Sequence, residues 1–444
     1  MRVLILFVLV GLAVWLAVWF ADNPGRVEIK VLGYRIATTV GVLAVVFAVS
    51  SALLAVSYRI WRAMRHAPRR FVESLGTSRR QRGYHALTQG MVAVAAGDAR
   101  EAKRAAQKAD SLLNEPPLTM LLSAQAAQLE GDEGAAQKYF EAMLAEPDMA
   151  FLGVRGLLMQ ATRRDDKQEA LRLADKAHQL RPATPWVLKS LFDLQVGAGQ
   201  WMAADKTLRD AIRVGIVDAA TGRHRRASLA AEASREASLR GEKAVALKRA
   251  REAHDLDPGL APASVALANC LAESGKTRRA VKTLEGAWAR DPHPDVATAY
   301  GALGSETETP LNRVKRYQRL VTSNPDHPES HFALAEASLA AQLWGEARRH
   351  LDQLAGDRRT ARLFRLMTDL EEQETGDLKA ARQWLDQAAN APAENAWYCG
   401  DCGSVADAWH ACCENCDAFA ALEWRLPPGV SVQAPLPVTP KTAA

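Results

Sequence analysis

The chain contains 444 residues with a formal net charge of +5, and 48% of its residues are hydrophobic. This length allows several domains, and so small a net charge does not by itself imply nucleic acid binding. Alanine, leucine, glutamate, arginine and lysine dominate while strand signals are scarce, so we predict an all-α fold. Of the six cysteines, five lie between Cys399 and Cys416, which favours a metal site over a disulfide framework; Cys270 stands alone.

Two long apolar runs stand at the start of the chain. Residues 3–21 and 36–58 contain no charged side chain, and each run exceeds the roughly 18 apolar residues that mark a membrane span. The first run is too long for the apolar core of a signal peptide, and no small-residue cleavage site follows it. The polar loop 22–35 separates the runs, and alternation at residues 26–31 indicates a brief extended stretch. We therefore predict a transmembrane hairpin of two helices over residues 1–58.

A basic juxtamembrane helix is predicted at residues 59–82, where Glu73 is the single acid among eight arginines. The positive-inside rule places this side of the membrane in the cytoplasm, and two spans return the N-terminus to the same side. Because the segment adjoins a span, anionic lipid headgroups are favoured over nucleic acid as its partner. The arginines nearest the span are Arg59, Arg62, Arg65, Arg69 and Arg70.

Residues 83–393 repeat a unit of about 34 residues nine times, with a turn inside each copy. The predicted turns are Gly97, Gly131, Asp165, Gly199, Gly241, Gly275, Thr309, Gln342 and Gly376. In most copies small or apolar residues follow the turn by five, nine and twelve positions, which places them on one face of a helix. The glycine ends one helix and the second helix packs back on it, so the pattern resembles the tetratricopeptide repeat and predicts a solenoid.

One repeat interval is longer than the others. Gly199 and Gly241 are 42 residues apart, which leaves room for about two additional helical turns. The interval contains the basic stretch 223–226. An insertion in a solenoid often marks a binding face, but a solvated helix end is the more ordinary interpretation.

Aromatic residues and histidines within the repeats are candidates for ligand contacts or for structural roles. At helical spacing the tryptophans are predicted to belong to the core rather than to stack on a ligand. They are Trp186, Trp201, Trp288, Trp344 and Trp384. His293 and His327 each precede a proline at a repeat boundary, and we interpret both as parts of inter-repeat turns rather than as haem or metal ligands.

Two Cys-x-x-Cys pairs near the C-terminus carry the main chemical signal. Cys399 and Cys402 form one pair, and Cys413 and Cys416 form the other after a gap of ten residues. Two such turns can direct four thiolates at one ion, so we predict a closed zinc site, although iron also suits four thiolates. Because all four positions are filled by protein, no coordination site is left for catalysis. The spacing leaves Cys412 as a spare thiol.

The predicted metal module covers residues 394–426, and a proline-rich tail at 427–444 is predicted to be disordered. Gly403 and Asp417 follow the two pairs at matching positions, where a left-handed backbone is expected and aspartate is tolerated less well. A module this small has no core of its own. Four aromatic residues are expected to cover it: Trp397, Trp409, Phe419 and Trp424.

Several enzyme signatures are missing from the sequence. There is no P-loop, and no Ser/His/Asp or Cys/His arrangement has an interpretable spacing. Adjacent Glu371 and Glu372 lie in a helical pattern and are expected to be solvated. The protein is therefore predicted not to be an enzyme.

The N-terminal hairpin resembles that of the bacterial HemY family. The residues that carry the resemblance are 19–29 and 33–36, and it continues into the basic segment and the repeats. It implies a tetratricopeptide protein anchored in the bacterial inner membrane, with its repeats in the cytoplasm, that acts late in haem or protoporphyrin metabolism. A flavin-dependent oxidase shares the family name, but no flavin fingerprint is present here.

The cysteine module resembles the rubredoxin-like knuckles of the lipopolysaccharide assembly protein B family, from which this chain departs by having two predicted spans instead of one. We expect a scaffold that binds client proteins, such as late haem-pathway enzymes, at the membrane. The alternatives are an adaptor that presents an envelope-biosynthesis enzyme to a membrane protease, and a redox protein with iron in the knuckles.

Overall fold

The computed structural model describes residues 25–31, 34–113, 116–305, 307–354 and 359–428, together with single positions between 7 and 22. The described part is mainly helical, as predicted, and divides into two compact units, 1–139 and 140–444. The helices are α1 (Val40–Ala96), α2 (Ala99–Leu113), α3 (Pro116–Glu130), α4 (Glu133–Met143), α5 (Ala150–Arg163), α6 (Lys167–Leu180), α7 (Pro185–Gly197), α8 (Trp201–Arg213), α9 (Ala219–Leu239), α10 (Lys243–Leu256), α11 (Ala261–Glu273), α12 (Thr277–Arg290), α13 (Pro294–Ala302), α14 (Pro310–Val321), α15 (Pro328–Ala340), α16 (Trp344–Leu354), α17 (Ala361–Glu374) and α18 (Leu378–Ala389). The strands are β1 (Arg26–Val31), β2 (Tyr34–Thr39), β3 (Ala396–Cys399), β4 (Val405–Ala406) and β5 (Leu422–Arg425).

A β-hairpin precedes the first long helix. Strands β1 and β2 pair antiparallel, with Arg26 opposite Thr39 and Val31 opposite Tyr34. The extended stretch predicted at 26–31 is therefore confirmed. The predicted start of the second span is wrong, because residues 36–39 belong to β2 and the helix begins at Val40. Residues 36–39 are uncharged like the helix that follows, so a count of uncharged residues does not separate the strand from the helix. The β-branched Thr38 and Thr39 were the local signal for a strand.

One helical segment of the described residues is long and apolar enough to cross a membrane. It covers Val40–Arg62, has a mean hydropathy of 2.4, and is not buried against the protein. The first predicted span lies largely outside the described residues, so the hairpin of two membrane helices stays a prediction.

Helix α1 runs without interruption from this apolar segment through the predicted basic helix into the first repeat. It has 57 residues and ends at Gly97, whose φ of 76° is left-handed. Within residues 1–139, α2 and α3 pack with α1, and the repeat's small residues form the contact. Ala102, Ala106 and Ala109 are all buried.

The turn positions read from the sequence coincide with left-handed backbone in eight of nine copies. Asp165 and Gln342 adopt positive φ at the places where the other copies carry glycine. The ninth prediction, Thr309, is wrong. Its φ is −69° and its hydroxyl caps α14 by accepting from the Asn312 N–H, because α13 ends early at Ala302.

Within residues 140–444 the helices alternate in pairs around buried alanine and leucine, as the anchor spacing predicts. Ala280, Leu284 and Ala287 of α12 are buried in one cluster with residues of neighbouring helices. Gly153 lets the backbone of α5 approach that of α4 closely, because an added Cβ would lie 2.6 Å from the Phe140 carbonyl oxygen. Leu385 is an exception among the anchors: its side chain is 53% exposed on α18, the last repeat helix.

The tryptophans of the repeats are structural, as predicted. Trp288 is completely buried, and the other four pack against the apolar clusters between helices. The two His-Pro sites are at repeat boundaries, as predicted. The histidines have a defined role there, because Nδ1 of His293 and of His327 accepts a backbone N–H at the start of α13 and α15.

Candidate metal centre and its seat on the repeats

The cysteine module is a three-stranded antiparallel sheet, in the order β4-β3-β5, that carries two equivalent turns. In the first turn the Gly403 N–H donates to the Cys399 carbonyl, and in the second the Asp417 N–H donates to the Cys413 carbonyl. Gly403 and Asp417 have φ values of 77° and 58°, so both adopt the expected left-handed conformation. The sequence signals for this sheet are short, and the prediction of an all-α chain missed it.

The four paired cysteines converge. The Sγ atoms of Cys399, Cys402, Cys413 and Cys416 all lie within 4.8 Å of one another. Two of the separations, Cys399–Cys416 and Cys402–Cys413, are 3.8 and 3.7 Å. Metal–sulfur bonds of about 2.3 Å in a tetrahedron require sulfur atoms about 3.8 Å apart. The spacing therefore fits one tetrahedral ion held by four thiolates.

Hydrogen-bond donors favour the thiolate form at two of the four sulfur atoms. Donors from Asn415 and Ser404 lower the pKa of Cys402 to about 5. The Ser404 hydroxyl also lowers the pKa of Cys413. Burial raises the pKa of Cys399, against which the backbone N–H groups of Cys402 and Asp401 act. The Ala418 N–H lowers the pKa of Cys416, but hydrogen bonds from the neighbouring cysteines and burial raise it to about 12. The donors therefore favour the thiolate, which is the form that binds metal, at Cys402 and Cys413 only.

Cys412 lies apart from the four clustered thiols, in agreement with its prediction as a spare. Its side chain packs on the repeats beside Phe192 and Leu208, and burial raises its pKa to about 11. A thiol kept neutral in an apolar contact is a poor ligand. His410 is occupied differently, since its Nε2 lies 3.3 Å from the Glu414 carboxylate.

The module is seated on the repeats through aromatic side chains. The Phe419 ring meets the Phe192 ring of α7 edge-on, with centroids 5.4 Å apart. Trp409 packs against the alanines of α9, which include Ala227 and Ala230. The aromatic residues expected to cover the module thus do more than that, because they join it to helices that lie far away in the sequence.

A buried carboxylate fixes the same contact. Glu232 of α9 is 4% exposed, and its Oε1 accepts the Ala411 N–H at 3.2 Å. Its Oε2 accepts from Arg235 Nε at 2.6 Å. A buried carboxylate is costly without such partners. Helix α9 has 21 residues and lies in the long repeat interval, so the insertion does contribute to a binding face, and the module is what occupies it.

Two residues of the basic stretch in that insertion are engaged in ion pairs. His224 Nδ1 lies 2.8 Å from the Asp257 carboxylate, and Arg226 pairs with Asp205 and Glu252. These contacts join α9 to α8 and α10. The interpretation as a merely solvated helix end is therefore wrong for His224 and Arg226.

A third contact lies at the start of α13. The ring of His293, which is 3% exposed, lies 4.5 Å from Trp424 and 5.2 Å from Trp397 between ring centroids. Its Nδ1 caps α13, while its Nε2 has no hydrogen bond within the described residues. Burial among these rings lowers the pKa of His293. The helix cap of one repeat is thus part of the module's docking surface.

A cavity of about 1030 Å³ remains between the module and α7–α9. Its apolar wall includes Phe192 and Phe419, and its charged residues include Lys189, Asp193 and Arg225. Burial raises the pKa of Asp193, whereas the two cations act in the opposite direction. The cavity is open to solvent and mixed in character.

Sequence reasoning found the four clustered cysteines but missed Phe192, Glu232 and His293 as their supports. The one signal that pointed to this surface was the long interval in the repeats. The actual contact joins residues 179 positions apart, Ala411 and Glu232, and no local pattern encodes it.

Helix pairs at a period near 34, a membrane-length apolar helix and a four-cysteine module define a tetratricopeptide repeat protein with a candidate metal centre. Comparison with known families supports this class in two parts of the chain. Residues 25–131 match the family description "HemY protein N-terminus", and residues 241–303 match "Tetratricopeptide repeat". The chain therefore carries a HemY N-terminal domain followed by tetratricopeptide repeats.

Two relatives are similar to this chain in sequence. The chain is 28% identical to "Probable magnetosome protein Mms48" of Magnetospirillum gryphiswaldense, over 96% of this chain and 93% of the relative. It is 28% identical to "Protein HemY" of Escherichia coli over 45% of this chain, and the match spans about half of that relative, 51%. A tetratricopeptide repeat protein from Parabacteroides merdae is similar in structure over 56% of this chain and 99% of its own, with 13% identity and a TM-score of 0.26.

Proposed function

We propose that the protein is a scaffold that is anchored in the bacterial inner membrane and holds client proteins at the cytoplasmic face. The observation that carries this proposal is the joining of a HemY N-terminal domain and a membrane-length helix to a long array of helix pairs. Such arrays offer extended surfaces for protein contact. The proposal includes two membrane spans, and it assigns no catalytic residue because the clustered thiols would be filled by a metal.

The clients are proposed to be enzymes of late haem or protoporphyrin metabolism. This part rests on the resemblance to HemY, whose matched region here spans residues of both the hairpin and the repeats. Affinity capture of the full chain, with its membrane segment retained, should recover haem-pathway enzymes. Recovery of a membrane protease together with an envelope-biosynthesis enzyme would instead support the adaptor function.

Porphyrin measurements test the physiological part of the proposal independently of capture. Deletion of the gene should change the level of protoporphyrin or haem, and a copy of the gene supplied in trans should restore it. Unchanged porphyrin levels would contradict a role in haem metabolism while leaving the scaffold function open to the capture experiment.

We propose zinc as the resident ion of the four thiols, at Cys399, Cys402, Cys413 and Cys416. The sulfur separations of 3.7 and 3.8 Å and the absence of a fifth ligand among the clustered groups fit a closed structural site in the described chain. Elemental analysis of the purified protein should find about one zinc per chain. Iron with a reversible thiolate absorption spectrum would instead support the redox alternative.

A further inference from the structure

The module lies on the helices that would offer the repeats' binding surface. Its ring contacts and its hydrogen bond fall on α7, α9 and the start of α13, which are the first helices of their pairs, and its apolar contacts extend to Leu208 of α8. In arrays of this kind the extended face between repeats is the surface used for recognition. The chain thus presents its own C-terminal module where a client would bind.

The chemistry beneath the module indicates what kind of client that would be. Phe192, Val196 and Leu229 form an apolar cluster that receives the Phe419 ring. Next to it, the Glu232 carboxylate accepts a backbone N–H. A segment that carries an aromatic side chain beside a free backbone N–H would satisfy both features. The module itself satisfies them with Phe419 and Ala411.

Besides its sulfur cluster, the module holds these docking groups by a few backbone contacts, among them the Ala420 N–H donating to the Ala411 carbonyl and the bridge between Cys412 and Phe419. The buried residues of its own apolar cluster are Trp397, Cys399, Cys413 and Leu422, and two of these four carry clustered thiols. The docking groups Trp409, Ala411 and Phe419 lie between and directly after the two cysteine pairs. Without an ion, the two turns are joined at the sulfur atoms only by hydrogen bonds, such as those of Asn415 Nδ2 to Cys402 and of Ser404 to Cys413, and thiolates this close repel one another.

We propose that the cysteine module is a metal-dependent cover of the client-binding face. With one ion on its four thiolates it occupies α7, α9 and the start of α13. Loss of the ion releases it, so that client segments with aromatic side chains can take its place. This inference rests on the proposed scaffold function, from which it takes the existence of clients. It adds a condition under which the face becomes available.

Hydrogen–deuterium exchange of the full chain in detergent micelles tests the release without any client. The metal-loaded protein is compared with protein treated with a high-affinity chelator, and elemental analysis verifies that the ion has gone. Amides of α7 and α9 should then exchange about tenfold faster or more. Helices α15 and α16 serve as the internal control, because their cluster includes no residue of the module.

A variant whose module cannot dock on the repeats serves as the reference for the released state. The double substitution Trp409→Ala and Phe419→Ala removes two contacts with the repeats and none of the four thiols. It should keep about one metal ion per chain and still show the fast exchange of the chelated protein in α7 and α9.

Two results would overturn the proposal. In the first, chelation removes the ion yet leaves α7 and α9 protected while the double variant exposes them, so docking does not depend on metal. In the second, the double variant also leaves both helices protected, so the module does not cover them. Neither result touches the scaffold function, which fails only if capture of both the wild-type chain and the double variant recovers no specific partner.

Discussion

Within residues 140–444, the repeats and the cysteine module differ in how many buried residues stabilise them. The repeats bury alanines and leucines along every helix pair, and each pair leans on its neighbours. The module buries four residues of its own and depends on four sulfur atoms and a few contacts with α7, α9 and α13. A distributed core tolerates a local loss, whereas a module of this size does not. Substitutions of the few residues that hold the module should therefore have larger effects than substitutions in the repeats.

Removal of two metal ligands should have the largest effect. In the double variant Cys399→Ser and Cys413→Ser, metal content should fall from about one ion per chain to below about a tenth, because a structural site needs all four thiolates. Elemental analysis after gel filtration measures this. Cys270→Ser is the matched control, since Cys270 is buried in α11 away from the cluster. Full metal content in the double variant would exclude these cysteines as the ligands.

A cavity in the repeat core should cost less and act locally. Leu284→Ala removes a completely buried side chain and should lower the free energy of unfolding by about 2–5 kcal/mol. Lys282→Ala, at an exposed position of the same helix, should change it by less than about 0.5 kcal/mol. Urea unfolding followed by circular dichroism measures both. Loss of metal in the Leu284 variant would show that the metal site of the module depends on the core of the repeats.

The hydrogen bond between α9 and the module can be weakened without removing a side chain. Glu232→Gln keeps the shape but takes the charge from an acceptor that binds both Ala411 and Arg235. The free energy of docking should become less favourable by about 1–3 kcal/mol, because hydrogen bonds to charged groups contribute more than hydrogen bonds between neutral groups. Tryptophan fluorescence during urea titration should report this as earlier release of Trp409. Glu236→Gln, one turn away, half-buried and paired with Arg240 instead of the module, should leave the transition in place.

The repeats contain one point where protonation should matter. His331 and His350 face each other with their Nδ1 atoms 3.1 Å apart. Burial lowers the pKa of both, Arg349 lowers both further, and the carboxylates Asp326 and Glu346 act in the opposite direction. The unfolded chain then binds more protons than the folded one, so stability is full above the ordinary histidine pKa of about 6.5 and declines as pH falls below it.

Thermal unfolding between about pH 7.5 and pH 5 measures that decline. His331→Gln should flatten the dependence on pH, because it removes one member of the pair. An unchanged slope would assign the pH dependence to other groups. A flattened slope would show that the repeats, too, concentrate part of their stability in a single contact.

The smallest effect is expected at the turns. Gly275→Ala should cost about 1 kcal/mol, because φ is 73° and an added Cβ meets nothing within 4 Å, so the cost is conformational alone. Gln342→Gly, at the equivalent turn of another repeat, should be stabilising by a similar amount, since its φ of 56° already disfavours a side chain. Chemical unfolding of the two variants in parallel measures both changes in the free energy of unfolding. Changes of the same sign would contradict the role of positive φ at these turns.

Sequence reasoning succeeded where a residue's role depends on its immediate neighbours. Left-handed turns at Gly97 or Gly376 follow from the repeat period and from the conformational freedom of glycine. The same counting failed at Thr309, because a period contains no information about a helix that stops early. It also missed the short strands β3, β4 and β5, whose pairing is set by the cysteine turns.

Contacts between distant segments account for the remaining misses. The sequence shows a tryptophan at 409 and a glutamate at 232, but it does not show that the module comes to lie on α9. A buried glutamate is indistinguishable in sequence from the many solvated ones on the same helices. Three-dimensional packing alone identifies Glu232 as a docking residue.

The unbroken course of α1 fixes a rotational phase between the apolar segment and the first repeat. Its 57 residues rise about 1.5 Å each, so it is a rod of about 85 Å. Each residue advances the azimuth by about 100°, so one residue inserted at 63–77 would turn the first repeat by about that angle around the rod axis. Seven inserted residues would restore the original bearing to within about 20°. The number of residues between Arg62 and Gly83 therefore sets the direction in which the first repeat faces.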